Sequence, residues 1–325
     1  MADGGNQRQE TADGTMPEEL GWFERELADS LRDDDLRLIL LPTEQCNFRC
    51  TYCYETFALG RMASQVIGGI KQLIERRVGQ LTSLSISWFG GEPLLALPLI
   101  EDISTHILHL TEHNSHAPHY LGTMTTNGYL LDGSTAERLA DLGIRKYQIT
   151  LDGPRHLHDR ARVRADGRGS YDRIWSNLLS IQAGKAPVEI LLRVHLTRAN
   201  LYAMPDFIQR VRDSLLGDQR FSINIRPVVR MGGASDILPD ILDDTEDARI
   251  SEPESLVLEQ AGPQQVFAPS HTCYAARANC FLVRADGRIG KCTVALEDPA
   301  NSLGRLLPDG TLQIDSDRLR PWLKG

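Results

Sequence analysis

Lys146-Tyr147-Gln148-Ile149-Thr150-Leu151-Asp152 alternates by side-chain type. In an extended chain Gln148, Thr150 and Asp152 point one way and Tyr147, Ile149 and Leu151 the other. One polar and one apolar face predict a strand over 146–152. Working outward, Ser83, Ser85 and Ser87 alternate with Leu84, Ile86 and Trp88, and Thr123, Thr125 and Asn127 share a face. Arg193 pairs with His195 on the next strand candidate, and Ser222, Asn224 and Arg226 line up on the last. Strands are thus predicted over 36–42, 83–89, 120–126, 146–152, 189–196 and 221–227. Helical patterns over 64–80, 97–112, 134–142, 171–183 and 203–215 separate them. Such alternation argues a parallel sheet of βα units. A closed small barrel fills its interior with apolar layers, so the polar faces predict an α/β fold with a partial (β/α)6 barrel, open to a polar ligand.

The 325 residues, 41% of them hydrophobic, suffice for one large domain and a smaller one. The expected division is an acidic N-terminal extension over 1–35, with a disordered start and a short helix over 22–31, then the barrel over 36–230. An acidic linker over 231–272 and a tail domain over 273–325 follow. The formal net charge of −9 is uneven, with acidic residues concentrated in 1–35 and 236–259. Solvated linkers explain this; an electrostatic guide for a basic stretch of a peptide is the functional alternative. No basic stripe interleaved with aromatics points to nucleic acid. The opening MADGGNQRQE is polar, so neither a signal peptide nor a membrane span is expected and a cytoplasmic location is. There thiols stay reduced, and grouped cysteines serve metals.

Six cysteines form two groups of three. The first, Cys46-Asn47-Phe48-Arg49-Cys50-Thr51-Tyr52-Cys53, has CxxxCxxC spacing, which can satisfy three irons of a [4Fe-4S] cubane and leave the fourth open. Structural zinc takes four protein ligands, and no local histidine completes that set. Asn47, Arg49 and Thr51 ill suit an apolar cysteine cluster. His106, His109 and His113, with His116 and His119 beyond, sit at helical spacing and read as a solvated helix end rather than a metal site.

With Tyr52 as its aromatic member, the cysteine loop resembles that of the radical S-adenosylmethionine (SAM) enzymes. Trp88-Phe89-Gly90-Gly91-Glu92-Pro93, Thr125-Thr126-Asn127-Gly128, Thr150-Leu151-Asp152-Gly153-Pro154, His158-Asp159 and Gly169-Ser170-Tyr171-Asp172 follow in order. They extend the resemblance to the peptide-modifying branch of that family over about 36–292. It implies a [4Fe-4S] cluster on Cys46, Cys50 and Cys53, and SAM bound by Tyr52, Gly90, Gly91, Glu92, Asn127, Thr150 and Arg193. Glu92 would take the SAM amino group. Turn chemistry remains the alternative for Asn127 and Thr150, a structural salt bridge remains one for Arg193, and Asp152 stays open between binding and fold.

The second group, Cys273, Cys280 and Cys292 with Gly287 between, resembles the opening of a SPASM domain, a tail that holds auxiliary iron-sulfur clusters. Its ligands would flank a hairpin over 284–289. No cysteine follows Cys292, so at most one auxiliary cluster with three cysteine ligands is expected.

The implied function is maturation of a ribosomally synthesised precursor peptide. A 5′-deoxyadenosyl radical from SAM would abstract hydrogen from a side chain, giving an oxidative crosslink or related C–H modification. An external donor such as flavodoxin or ferredoxin would supply electrons. The alternatives are a sulfatase maturase, whose family places an acidic residue where Thr293 follows Cys292, a small-molecule dehydrogenase, and a non-enzymatic iron-sulfur or zinc module. No residue is assigned as catalytic acid or base.

Overall fold

The computed structural model describes residues 21–229 and 272–324. The expected linker, except Thr272, and the chain before Gly21 lie outside the described residues.

Six parallel strands form the body: β1 (Asp35–Leu40), β3 (Ser83–Trp88), β4 (His119–Thr126), β5 (Ile144–Thr150), β7 (Glu189–Leu196) and β8 (Phe221–Pro227). Between them run α2 (Ser64–Arg77), α3 (Leu97–Glu112), α4 (Gly133–Asp141), α6 (Tyr171–Ala183) and α7 (Met204–Val211). The α/β fold and its partial barrel are as expected, because each strand buries one face. In β3, Leu84, Ile86 and Trp88 are fully buried while the serines between them are half-exposed. Ile70 and Ile74 of α2, Ile103 and Ile107 of α3, and Ile174 and Ile181 of α6 cover the apolar side. Each such side chain contributes about 1.5–3 kcal/mol on burial. The helix expected over 203–215 ends as an α-helix at Val211 and continues as one π turn, Arg212–Leu216, which keeps Leu215 buried.

Three short elements carry too little pattern to be expected. They are β2 (Phe48–Cys50), α5 (Arg155–Ala161) and β6 (Arg162–Arg164). β2 and β6 pair antiparallel as a separate two-stranded ribbon, with Cys50 opposite Arg162.

The tail continues the main sheet. β9 (Cys280–Val283) pairs in parallel with β1, then β10 (Arg288–Gly290), β11 (Gly304–Leu306) and β12 (Leu312–Ile314) follow antiparallel. The hairpin expected over 284–289 is the β9–β10 turn. Arg284, 4% exposed, fastens it to the barrel: Nε and Nη2 donate to both oxygens of Glu44 at 3.0 and 2.6 Å, and Nη1 donates to the Leu296 carbonyl at 2.7 Å. The first helix, α1 (Trp22–Ser30), joins the tail as well, Asp29 accepting from Arg277 at 2.6 Å.

Candidate active site

The carboxyl ends of the parallel strands and the cysteine loop enclose a cavity of about 490 Å³, and Cys46, Cys50 and Cys53 all lie on its wall. The ribbon explains how. Beyond the Cys50–Arg162 pairing, Thr51 N–H donates to the Ala161 carbonyl at 2.9 Å and Ala165 N–H to that of Asn47 at 2.8 Å. The loop is therefore held at both ends by the segment after β5.

The thiols are close enough to raise one another's pKa. Burial is the larger cause, pushing Cys46 up to about 12 and Cys53 to about 11. For Cys50 burial also raises the pKa, and the neighbouring Arg162 guanidinium opposes it. The Phe48 N–H points at Cys46 Sγ at 3.3 Å. Among the described residues no three His, Cys, Asp or Glu side chains gather as ligands of a single metal ion. Three thiols spread along one cavity wall, with a cation and an N–H beside them, fit a cluster whose irons each take one sulfur.

Gly90 and Gly91 line the cavity where the chain enters the cysteine loop. A Cβ at Gly90, where φ is +112°, would lie 2.4 Å from the Thr43 carbonyl oxygen, and one at Gly91 2.4 Å from that of Gln45. Glycine here lets two backbone segments pass in contact at the cavity edge. Glu92 lies behind them, 0% exposed, where its oxygens accept from Leu94 N–H at 3.0 Å, Thr126 Oγ1 at 2.7 Å and Asn127 N–H at 2.8 Å. Burial raises its pKa, and those donors counter the rise.

Asn127 lines the cavity and braces the cysteine loop, its Nδ2 donating to Asn47 Oδ1 at 2.7 Å. Thr150, Arg193 and His195 line the same space. Tyr52 does too, but its hydroxyl is committed: it donates to Asp152 Oδ2 and accepts from Arg162 Nη1 at 2.7 Å. Asp152 belongs to a buried network. Burial pushes its pKa up, and His195, Arg162 and His158 more than reverse that, leaving it below the usual carboxylate range.

Arg162, 7% exposed, is the main residue that sequence reasoning missed. Nothing in a run of surface-like arginines marks it; its role comes from pairing with Cys50. Glu55, in the run after Cys53, also lines the cavity, and burial pushes its carboxyl up to about 8.

The tail cysteines are placed differently from one another. Cys273 is exposed and Cys292 half-buried. Their neighbours meet at the cavity, where Thr293 N–H donates to the Tyr274 hydroxyl at 3.0 Å. Cys280 is buried with Ile39, Leu41, Leu282 and Leu296, which pushes its thiol up to about 11. His109 and His113 form an exposed helix end, His113 Nδ1 lying 2.8 Å from the His109 carbonyl oxygen, whereas His106, inside α3, is half-buried with its Nε2 enclosed. Among the described residues no helix is long and apolar enough to cross a membrane.

Comparison with known proteins agrees with the fold. Residues 40–195 match the Radical SAM superfamily. A GTP 3',8-cyclase of Trichormus variabilis is 31% identical over 150 residues, covering 45% of this chain and 42% of that protein. The chain spans about two fifths of the length of the first curated relatives it matches. Among solved structures, anSMEcpe with bound AdoMet and Cp18Cys peptide superposes with a TM-score of 0.67 at 18% identity, over 89% of this chain and 82% of that one. Streptococcus suis SuiB bound to precursor peptide SuiA gives 0.60 at 15% identity, over 97% and 72%.

Proposed function

We propose that this chain, which carries a Radical SAM domain across residues 40–195, is a peptide-modifying oxidoreductase acting on a side chain of a ribosomally synthesised precursor. The product is an oxidative crosslink or related C–H modification. One observation carries the proposal: three thiols of a single clamped loop share a cavity wall with the glycine edge and the polar strand ends. Solved structures of similar fold that hold peptides, anSMEcpe and SuiB, favour a peptide as the substrate class.

Cys46, Cys50 and Cys53 would hold a [4Fe-4S] cluster, and Gly90, Gly91, Asn127 and Thr150 would border SAM. Bound there, these groups would supply one-electron reductive chemistry for taking a hydrogen atom from the substrate. The protein's own contributions are positional and electrostatic. Arg162 favours the thiolate of Cys50, Asn127 fixes the loop through Asn47, and Gly91 keeps the cavity edge thin. Phe57, Phe89 and Tyr274 line the cavity and would keep water from a reactive intermediate. Cys273, Cys280 and Cys292 would serve an auxiliary cluster, and a flavodoxin or ferredoxin the electron supply.

Anaerobic reconstitution tests this. Wild type should bind about four irons or more per chain and form 5′-deoxyadenosine from SAM and a reductant. The triple Cys46, Cys50, Cys53→Ala variant should lose the product while keeping its far-UV circular dichroism. Retained SAM cleavage in that variant sinks the assignment; a precursor peptide that never loses hydrogen sinks the peptide substrate.

A further inference from the structure

A second space of about 700 Å³ opens beside the cysteine cavity and shares Thr125, Gln148 and Arg193 with it. Its far wall is β7 and β8, where Arg193 lies opposite Asn224, and His195 opposite Arg226. By the period of two, Asn224 and Arg226 fall on one face of β8, and both line the space together with Arg193.

The other cations there are neutralised. Lys146 meets Glu189 at 2.9 Å and Arg220 meets Asp218 at 2.7 Å. Among the described residues Arg193 and Arg226 have no carboxylate within 4.0 Å. Arg193 Nε is buried without a hydrogen bond, and so is Oδ1 of Asn224, whose residue is only 6% exposed. Burial and then the like charge of Arg226 lower the Arg193 pKa, against a smaller opposing pull from Asp152; an anion between the two guanidinium groups would relieve their repulsion.

We propose that Arg193, Arg226 and Asn224 form a subsite for an acidic side chain of the substrate. This rests on the peptide substrate proposed above and names its chemistry. A guanidinium pair suits a carboxylate. An aspartyl or glutamyl residue of a peptide also brings a backbone N–H, the donor that the buried Asn224 oxygen lacks; a simple free carboxylate brings none. The other source of a carboxylate is SAM itself, which Arg193 at the junction of the two spaces could reach.

The test uses the anaerobically reconstituted full chain and two blocked probes, acetyl-Ala-Asp-Ala-amide and acetyl-Ala-Asn-Ala-amide. Binding is followed by ligand-observed NMR at low ionic strength, with and without saturating SAM. The aspartyl probe should bind at least about tenfold tighter. Arg226→Gln should erase that preference and Arg226→Lys should restore part of it, with the preference persisting when SAM is bound. Equal affinities in wild type overturn the subsite and leave the peptide proposal standing. A preference that vanishes with SAM overturns it in favour of the SAM carboxylate. GTP that binds more tightly than the aspartyl probe and depends on Arg226 overturns the subsite and the peptide substrate together.

Discussion

His195 reaches Asp152 twice: its backbone N–H donates to Oδ1 at 3.1 Å, and its ring Nδ1 lies 3.2 Å from the same oxygen. The carboxylate is thereby shared between β7, Tyr52 of the cysteine loop and Arg162 of β6. Removing one member of a buried charged network costs about 3–5 kcal/mol. Asp152→Asn should lower the melting temperature and loosen the cysteine loop, read as faster amide exchange at Thr51, whose N–H is bonded to the carbonyl next to Arg162. Unchanged exchange would show that the network does not hold the loop. Because the folded pKa of Asp152 lies below its unfolded value, its contribution is full above about pH 4 and fades as the pH falls further.

His158 gives a separate pH signature. It is buried, and burial brings its pKa down to about 4. Asp152 N–H donates to Nδ1 at 3.2 Å, so the proton sits on Nε2, 3.1 Å from Ser170 Oγ, which itself donates to the Arg162 carbonyl. The neutral ring is the folded form. A pKa depressed on folding means stability fully present above about pH 6.5 and lost as the pH falls toward 4, a loss on the order of 3 kcal/mol. Denaturant titrations at pH 7 and pH 4.5 should differ accordingly in wild type and by less in His158→Gln. A flat wild-type profile across that range rules this out.

Gly91→Ala should damage the site through the backbone. Its Cβ would meet Gln45 O at 2.4 Å and Glu44 O at 2.8 Å, main-chain atoms that cannot rotate aside. Overpacking of this kind costs about 1–3 kcal/mol, and the displaced segment leads directly into Cys46. Lower iron retention than wild type at equal far-UV signal is the expected result; full retention would mean the loop yields without loss.

Arg284 and Glu44 add a buried ion pair to the β9–β1 docking of the tail. Arg284→Met strands a buried carboxylate and should cost about 3–5 kcal/mol. Adding Glu44→Leu should recover most of it, since a buried pair is often replaceable by apolar side chains. A double variant as unstable as the single one would show that geometry, not charge, holds the tail.

The parallel strands were legible to within a residue or two, and in all but β1, which is buried on both faces, the reason is one face under a helix and one toward the lumen, which writes the period of two into the chain. The glycine edge and the cysteine loop were legible for the same local reason. Tyr52 shows the limit: its place in the loop could be read, but not the Asp152 and Arg162 contacts that occupy its hydroxyl. Arg162 acts across a ribbon of two three-residue strands, too short to leave a pattern. Glu92 looked like a ligand group at a strand end, and its full engagement by three donors depends on where Thr126 and Asn127 arrive.

The pairing of β9 with β1 has a consequence for how the chain must fold. β1 leaves the ribosome before the other described strands, yet one of its two edges waits for a partner far downstream; Arg284 and Glu44 are separated by 240 residues. Until then, the hydrogen-bonding row of a largely apolar strand is open to other chains. Closing so long a loop adds little to the equilibrium cost but slows the search. Overproduction should therefore trap this protein in aggregates seeded at β1, and supplying 272–325 as a separate peptide in trans during refolding should raise the soluble yield.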